Sequence, residues 1–331
     1  MRFWRNTSEA TLGSTSTATL PAGTLGYEWD VDPDNGARPA GTFDLSTAAY
    51  TLTVDLLIDN GVNYGGGPAT HHMTMHKEPS GALVFGAGTV QWAWGLDNNH
   101  DNDFGFATPA ASKDMKQATI NLFADMGVQP ATLQSGLLAA SASTDFTPPT
   151  STITSPTPGT LLKLSTSVTV SGTATDAGGG VVGGVEVSGD GGQSWHPASG
   201  RGSWTYTFVT PKTNGSITIL SRAVDDSGNI ETPGPGVTVA VGTAYSISGT
   251  ISPTAAGSGA TVTLTGPFTV TTTANSSGAY TLSGLTSGTF TVRPSHTGYT
   301  FNPSSSIVTI ATASVTGLNF SGTAASGGSY S

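Results

Sequence analysis

The chain has 331 residues, enough for two or three domains, and sets 21 Asp and Glu against 11 Lys and Arg for a formal net charge of -10. That balance excludes a basic nucleic-acid footprint. The lack of cysteine excludes a disulfide framework, a zinc knuckle and a thiol nucleophile, and no run of 18 apolar residues exists that could span a membrane as a helix.

Charged residues make up only 10% of the chain, so its surface must be built largely from Ser, Thr, Gly and Asn. This composition is common among exported bacterial β proteins, and an extracellular or cell-surface location is expected. Met1-Arg2-Phe3-Trp4-Arg5 is not followed by an apolar stretch, so no signal peptide is expected within this chain.

Residues 1–146 hold most of the charge, fifteen Asp and Glu against six Lys and Arg. Asp30, Asp32 and Asp34 alternate in a turn marked by Pro-Asp and Asn-Gly. Ala49–Ile58 and Ala69–Lys77 have the residue types of strands. The second carries His71, His72 and His76, which invites a metal reading. On a helix, His72 and His76 would be neighbours. On a strand they share a face about 13 Å apart, from a rise of about 3.3 Å per residue, too far for one zinc ion. Ordinary surface or packing histidines are therefore expected.

Within Ala82–Asp97, the run Ala82–Gly95 is apolar without clean alternation, interrupted by Gly86 and Gly88, and predicts a strand buried on both faces of a parallel sheet. The polar loop after it contains Asp97, Asn98, Asn99, Asp101 and Asp103. Neither this loop nor Asp30–Asp34 has the glycine and closing glutamate of a twelve-residue calcium loop, and both are expected to be turn formers. A helix is predicted from Ser112 to Met126: Ser112 suits the N-cap, Asp114 the first turn and Gly127 the position after the last turn. Met115, Ala118, Leu122 and Met126 form its apolar stripe.

Met1-Arg2-Phe3-Trp4-Arg5-Asn6-Thr7, Leu25-Gly26-Tyr27-Glu28-Trp29-Asp30, Gly88–Asp97 and the helix ending Ala124-Asp125-Met126-Gly127 together resemble the C-terminal part of the N,N-dimethylformamidase large-subunit domain, over about residues 1–135. The resemblance implies a partial α/β, glutamine-amidotransferase-like fold. It also implies kinship with amidohydrolases that hold one iron by tyrosine and glutamate side chains. Tyr27 and Glu28 are the only adjacent pair of those types. The chain is expected to begin inside that domain and to lack the earlier strands on which the iron site draws, so no catalysis is expected.

Thr147-Pro148-Pro149-Thr150 marks a boundary. Beyond it, Ser167–Ala174, Val181–Ser188, Trp204–Phe208, Ile217–Val224 and Gly236–Val241 are short β runs between turn clusters, the pattern of an immunoglobulin-like or fibronectin-like sandwich over 147–243. Trp195, Trp204 and Tyr206 are candidate core residues. Ser188-Gly189-Asp190-Gly191-Gly192-Gln193-Ser194-Trp195 resembles the Asp-box hairpin of sialidases. It occurs once, without a blade repeat, and is expected to be a structural turn. The same arrangement resembles immunoglobulin-like domains of bacterial exoproteins.

From Tyr245 a third β segment begins, and its motifs Ser248-Gly249-Thr250-Ile251, Gly278-Ala279-Tyr280-Thr281-Leu282 and Gly288-Thr289-Phe290-Thr291-Val292 resemble carboxypeptidase regulatory-like domains, also called prealbumin-like or collagen-adhesin B-type repeats. The resemblance implies a small sandwich over 244–323 acting as stalk, spacer or adhesive module. Arg293 is its only charged side chain, which excludes the Lys-to-Asn crosslink of some related repeats. Ser and Thr supply 33 of the 80 residues from Ala244 to Thr323, a surface suited to O-linked sugars or to burial against other copies. A disordered tail is expected over Ala324–Ser331.

The sequence thus predicts a multidomain, mainly β protein: a partial α/β segment followed by two β-sandwiches. No catalytic, cofactor-binding or metal-binding residue is named. The expected role is a structural or adhesive module of a secreted or surface bacterial protein, with filament or array assembly as a further step. An iron-dependent amidohydrolase fragment and a carbohydrate-binding protein are the alternatives. Expected partners are other copies, other surface components or glycans, with neither nucleic acid nor membrane insertion.

Overall fold

A computed structural model describes residues 1–13, 16–26, 29–58, 62–99 and 110–325. Tyr27, Glu28, Asp101, Asp103 and the tail from 326 onward lie outside the described residues.

The first segment is built on a long hairpin. β1 (Phe43–Ile58) and β2 (Asn63–Lys77) pair antiparallel, with Phe43 opposite Met75 and Tyr50 opposite Ala69, and β3 (Leu83–Gly86) joins the other side of β2. At the Lys77 end of β2 the period of two is visible: His71, Met73 and Met75 are buried. The parallel, doubly buried strand expected over Ala82–Gly95 is corrected here. Only Leu83–Gly86 is strand, and it is antiparallel. Gly88 then turns through a positive φ of 68°, and Val90–Gly95 winds into 3-10 turns capped by the Thr89 side chain, which accepts from the Gln91 N–H. A period-free apolar run fits a buried helical turn as well as a strand, and here the glycines and the Thr cap decide.

α1 (Lys113–Asp125) begins as expected: the Ser112 hydroxyl accepts from the Met115 N–H, and Gly127 has φ 80°. Met115, Ala118 and Leu122 are buried, whereas Met126 is 41% exposed and leaves the stripe. The buried polar residues of this helix grip the chain's first turn. Asn121 donates to the Phe3 and Arg5 carbonyls, and Asp125 accepts from both Arg2 and Arg5. Phe3, Trp4, Phe43, Leu45, Met73, Met75, Ala118 and Leu122 form one core. Val224, from the second segment, belongs to that same core.

The second segment is a sandwich. One sheet has the order β4 (Thr150–Ser155), β6 (Ser167–Thr175), β10 (Ser203–Val209) and β9 (Ser199–Gly200). The other runs β5 (Leu161–Leu162), β12 (Val237–Val241), β11 (Gly215–Asp225), β7 (Val182–Ser188) and β8 (His196–Pro197). Val170, Val185, Val187, Trp204, Ile219 and Val239 fill the space between them. Trp195 does not join this core, contrary to expectation. Its ring lies under the Arg222 guanidinium, 4.1 Å from the ring centre, a cation–π contact.

The third segment has two four-stranded sheets. The first contains β16 (Ala279–Leu285), β13 (Tyr245–Ser252), β20 (Phe320–Ala324) and β18 (Tyr299–Asn302) in that order. The second contains β15 (Val270–Thr273), β14 (Thr261–Thr265), β17 (Gly288–Ser295) and β19 (Ser306–Ile310). Ile247, Val262, Leu264, Leu282 and Phe290 are buried between them. Thr positions alternate outward, as in β14, where Val262 and Leu264 point in and Thr261 and Thr265 are exposed.

Candidate functional site at the junction of the first two segments

The chemistry-bearing side chains concentrate where the first sheet meets β7 and β11. Gly183 and Gly184 open a slot in β7, and Phe43 fills it: a Cβ on either glycine would sit 3.0–3.2 Å from Phe43 side-chain atoms. Beside this contact, Arg38 donates through Nε to both Asp32 oxygens at 3.0 and 2.8 Å, through Nη1 to Glu186 at 2.9 Å, and through Nη2 to the Thr42 carbonyl. Arg222 closes the row, its Nε donating to the other Glu186 oxygen at 2.7 Å. Every oxygen of the buried Glu186 carboxylate is thereby occupied. A buried charge requires such pairing, since isolation in a low dielectric is costly.

A second row has the residue types of a hydrolytic triad. Asp34 lies 2.9 Å from His196 Nδ1, and His196 Nε2 lies 3.1 Å from the Ser194 hydroxyl. The Ser194 proton, however, goes to Asp190 at 2.7 Å. Burial pushes Asp190 up, but hydrogen bonds from the Ser194 hydroxyl and N–H, the Ser188 hydroxyl and the Gln193 N–H outweigh it and hold its pKa at about 2. An ionised carboxylate beside Ser194 Oγ opposes the anion that acyl transfer must form there. This is the Asp-box turn, and its bonds are those of a turn.

The histidines of β2 go to separate partners. His71 Nε2 bonds the Ala87 carbonyl at 3.0 Å, His72 Nδ1 accepts from the Asp32 N–H at 3.0 Å, and His76 meets Glu78 at 3.0 Å. Burial lowers the His71 pKa from its ordinary value, which keeps the ring neutral. A cleft of about 240 Å³ lies alongside, lined by His72, His76, Asp30 and Asp32 among others. Burial also pushes Asp44, near His72, above the usual carboxylate range. Asp32 and Asp34 diverge to Arg38 and His196, so the alternating aspartates do not converge on a common point. Asp97 accepts from the Asn99 N–H, as a turn former does, whereas Asn98 accepts from the Ala111 N–H thirteen residues on and so ties the two ends of the loop together.

Sequence reading missed a third cluster. Asp145, Asp176 and Asp225 bring carboxylate oxygens within 4.8 Å of one another, and this is the one group among the described residues whose geometry could hold a metal ion. Asp145 and Asp225 are buried. Burial raises the Asp225 pKa, and the neighbouring Asp145 charge adds to the rise. Two like unit charges at such a distance repel by about 3–4 kcal/mol at an effective dielectric near 20. No local motif announces this cluster, because its members come from three distant segments.

The iron implied by the dimethylformamidase resemblance would be held by tyrosine and glutamate side chains. Among the described residues, the one group of His, Cys, Asp or Glu side chains close enough to share an ion contains only aspartates. Tyr27 and Glu28 lie outside the described residues.

Comparison with known proteins agrees with the order of segments. Residues 1–103 match the family described as N,N-dimethylformamidase beta subunit-like, C-terminal, and residues 149–220 match the bacterial Ig domain. Nothing among the curated proteins matches the chain. Solved structures give weak likenesses. Fibronectin(III)-like modules of CbhA from Clostridium thermocellum are 22% identical, covering 28% of this chain and 96% of that one, with a TM-score of 0.24. The TIE protein of Bacillus anthracis is 11% identical, covering 65% of this chain and 46% of its own, with a TM-score of 0.22. The major pilin subunit BcpA of Bacillus cereus is 12% identical, covering 82% and 95%, with a TM-score of 0.19. At these scores they carry no argument about assembly or partners. What the matches establish is a sequence of parts: a stretch like the C-terminal region of a dimethylformamidase beta subunit, followed by a bacterial immunoglobulin-type module.

Proposed function

We propose that this chain is a non-catalytic structural or adhesive module of a bacterial surface or secreted protein. In this reading the first segment and the Ig-type sandwich act as one stiff body, and the third segment acts as a spacer that associates with other copies. The observation that supports it most is the placing of Val224, an Ig-type strand residue, inside the core of Phe3, Trp4 and Phe43. A body welded in this way transmits force or fixes spacing without needing a reaction centre. The experiment is surface shaving of intact cells with protease, combined with sedimentation of the purified chain. Cleavage of the chain on intact cells, and concentration-dependent association lost on deleting 244–323, are expected. A strictly cytoplasmic chain would overturn the reading, and a monomer at high concentration would overturn its self-association.

Glycan binding is the second reading, supported by an open cleft of about 540 Å³ in the third segment. It is lined by Arg293, His296, Tyr299 and several hydroxyl side chains, and His296 stacks on Tyr299 with ring centres 5.2 Å apart. A glycan array of the wild type and Tyr299→Ala decides this: binding lost in the variant favours it, and a blank array removes it.

A further inference from the structure

We propose that Asp145, Asp176 and Asp225 form a Ca²⁺ site that fastens the segment after α1 onto the Ig-type sandwich. The three residues come from separate places. Asp145 lies between α1 and β4, Asp176 directly follows β6, and Asp225 ends β11. Their ligand oxygens lie within 4.8 Å of one another.

A second observation points to a ligand. Asp145 is only 8% exposed, and its Oδ2 is buried with no hydrogen-bond partner, while its Oδ1 accepts from the Thr147 N–H. A buried carboxylate oxygen without a donor is the costly case, and a cation removes the cost. That oxygen is aimed into the cluster. A Cβ on Gly180 would sit 2.6 Å from Asp226 Oδ1 and 3.2 Å from both Asp145 Oδ2 and Asp176 Oδ2, so Asp145 and Asp176 converge on the space that a side chain there would fill, with Asp226 beside it.

The remaining bonds orient the carboxylates without neutralising them. Asp176 accepts from the Gly178 and Gly180 N–H groups, and Asp225 accepts from the Ser227 and Asn229 N–H groups and the Asn229 side-chain amide. Such outer bonds hold metal-ligating carboxylates in place. Among the described residues no ion pair involves any of the three. The set is all oxygen, which selects a hard cation. Ca²⁺ accepts six to eight oxygens at about 2.3–2.6 Å in flexible geometry, so ligands across the ion stand up to about 5 Å apart. Mg²⁺ requires a tighter octahedron.

The linker itself is already docked. The Asn229 amide donates to the Asp145 carbonyl at 3.0 Å, and the Ser143 and Ser227 hydroxyls meet at 2.7 Å. A cation shared by linker and sandwich adds to these bonds and tightens the docking when calcium is bound.

The test is calorimetric titration of the chelator-stripped full chain with CaCl₂ and with MgCl₂, beside thermal melts with and without calcium. One equivalent of Ca²⁺ is expected, bound at least about tenfold tighter than Mg²⁺ and within the range of extracellular modules, with a raised melting temperature. Asp145→Asn should weaken calcium binding at least tenfold yet melt higher than the wild type in chelator, because it removes a repelling charge. A merely structural aspartate would not give that reversal. If the variant does not fold, calcium protection of the wild-type 141–149 segment against protease supplies the same readout. No uptake by the folded wild type at about 5 mM Ca²⁺, undiminished binding in a folded Asp145→Asn, or equal affinity for Mg²⁺ overturns the proposal.

Discussion

Arg38, in the segment that leads into β1, and Glu186 of β7 meet at 2.9 Å with each side chain less than a tenth exposed. Asp32 flanks the pair on one side and Arg222 on the other, so the four side chains form an alternating row of charge across the junction. The value of such a row shows when it is broken rather than when it is intact, because removing one member strands its partner away from water.

Arg38→Met should therefore destabilise the chain by about 3–5 kcal/mol, read from the denaturant midpoint. Glu186 retains Arg222 and the Gly41 N–H as donors, which favours the lower end of that range. The double variant Arg38→Met, Glu186→Leu should recover most of the loss. A single variant within about 0.5 kcal/mol of wild type, the scatter of ordinary surface substitutions, would show that the row contributes nothing.

Phe43→Ala empties the slot above Gly183 and Gly184 and should cost about 3–5 kcal/mol. Because Val224 shares that core, the loss should move the unfolding of the first segment and of the Ig-type sandwich together. Tryptophan fluorescence of single-Trp chains retaining Trp92 or Trp204 reads the two separately. Independent midpoints would mean that the shared core does not couple them.

Division of the chain into units over 1–146, 147–243 and 244–323 remains a proposal, and limited proteolysis tests it. The two boundaries should not behave alike. Thr243 and Ala244 are exposed between β12 and β13, whereas the exposed residues 146–148 are held between the buried Asp145 and Pro149. Cleavage near 243 should precede cleavage near 148, since opening a packed segment costs more than cutting an exposed one. Simultaneous cleavage at both would mean that the 141–149 segment opens freely.

The Asp-box turn should give a pH signature. The Asp190 pKa is about 2 in the folded chain against an ordinary 3.8, so its contribution is complete above 3.8 and lost as pH falls from there toward 2. Asp190→Asn should lower stability at pH 6, and the two stability curves should converge by pH 2. The group is largely exposed, so solvent screening keeps the effect small. Parallel curves down to pH 2 would exclude a charge-dependent role.

Legibility followed sequence distance. The strands of the second segment were readable because alternation and turn residues are local: Ser167–Ala174 was expected and Ser167–Thr175 is strand. Ser112 and Gly127 similarly marked the ends of α1. Ala82–Gly95 misled because an apolar run without period does not choose between strand and turn, and the Thr89 cap decides it. The junction was illegible. Arg38 finds Glu186, and Asp145 finds Asp176 and Asp225, only after separate segments have packed.

The third segment, two four-stranded sheets with Arg293 as their only charge, gives the chain an electrical polarity. Residues 1–146 carry a net charge of -9 (six Lys and Arg less fifteen Asp and Glu), and residues 244–331 carry +1. Copies brought close together repel through one part of the molecule and are nearly indifferent through the other. Close approach is therefore favoured through the Thr-rich end, and added salt should relax that preference by screening the acidic end over about 10 Å at 0.1 M. A cationic surface would hold the chain by its first segment and leave the third facing outward.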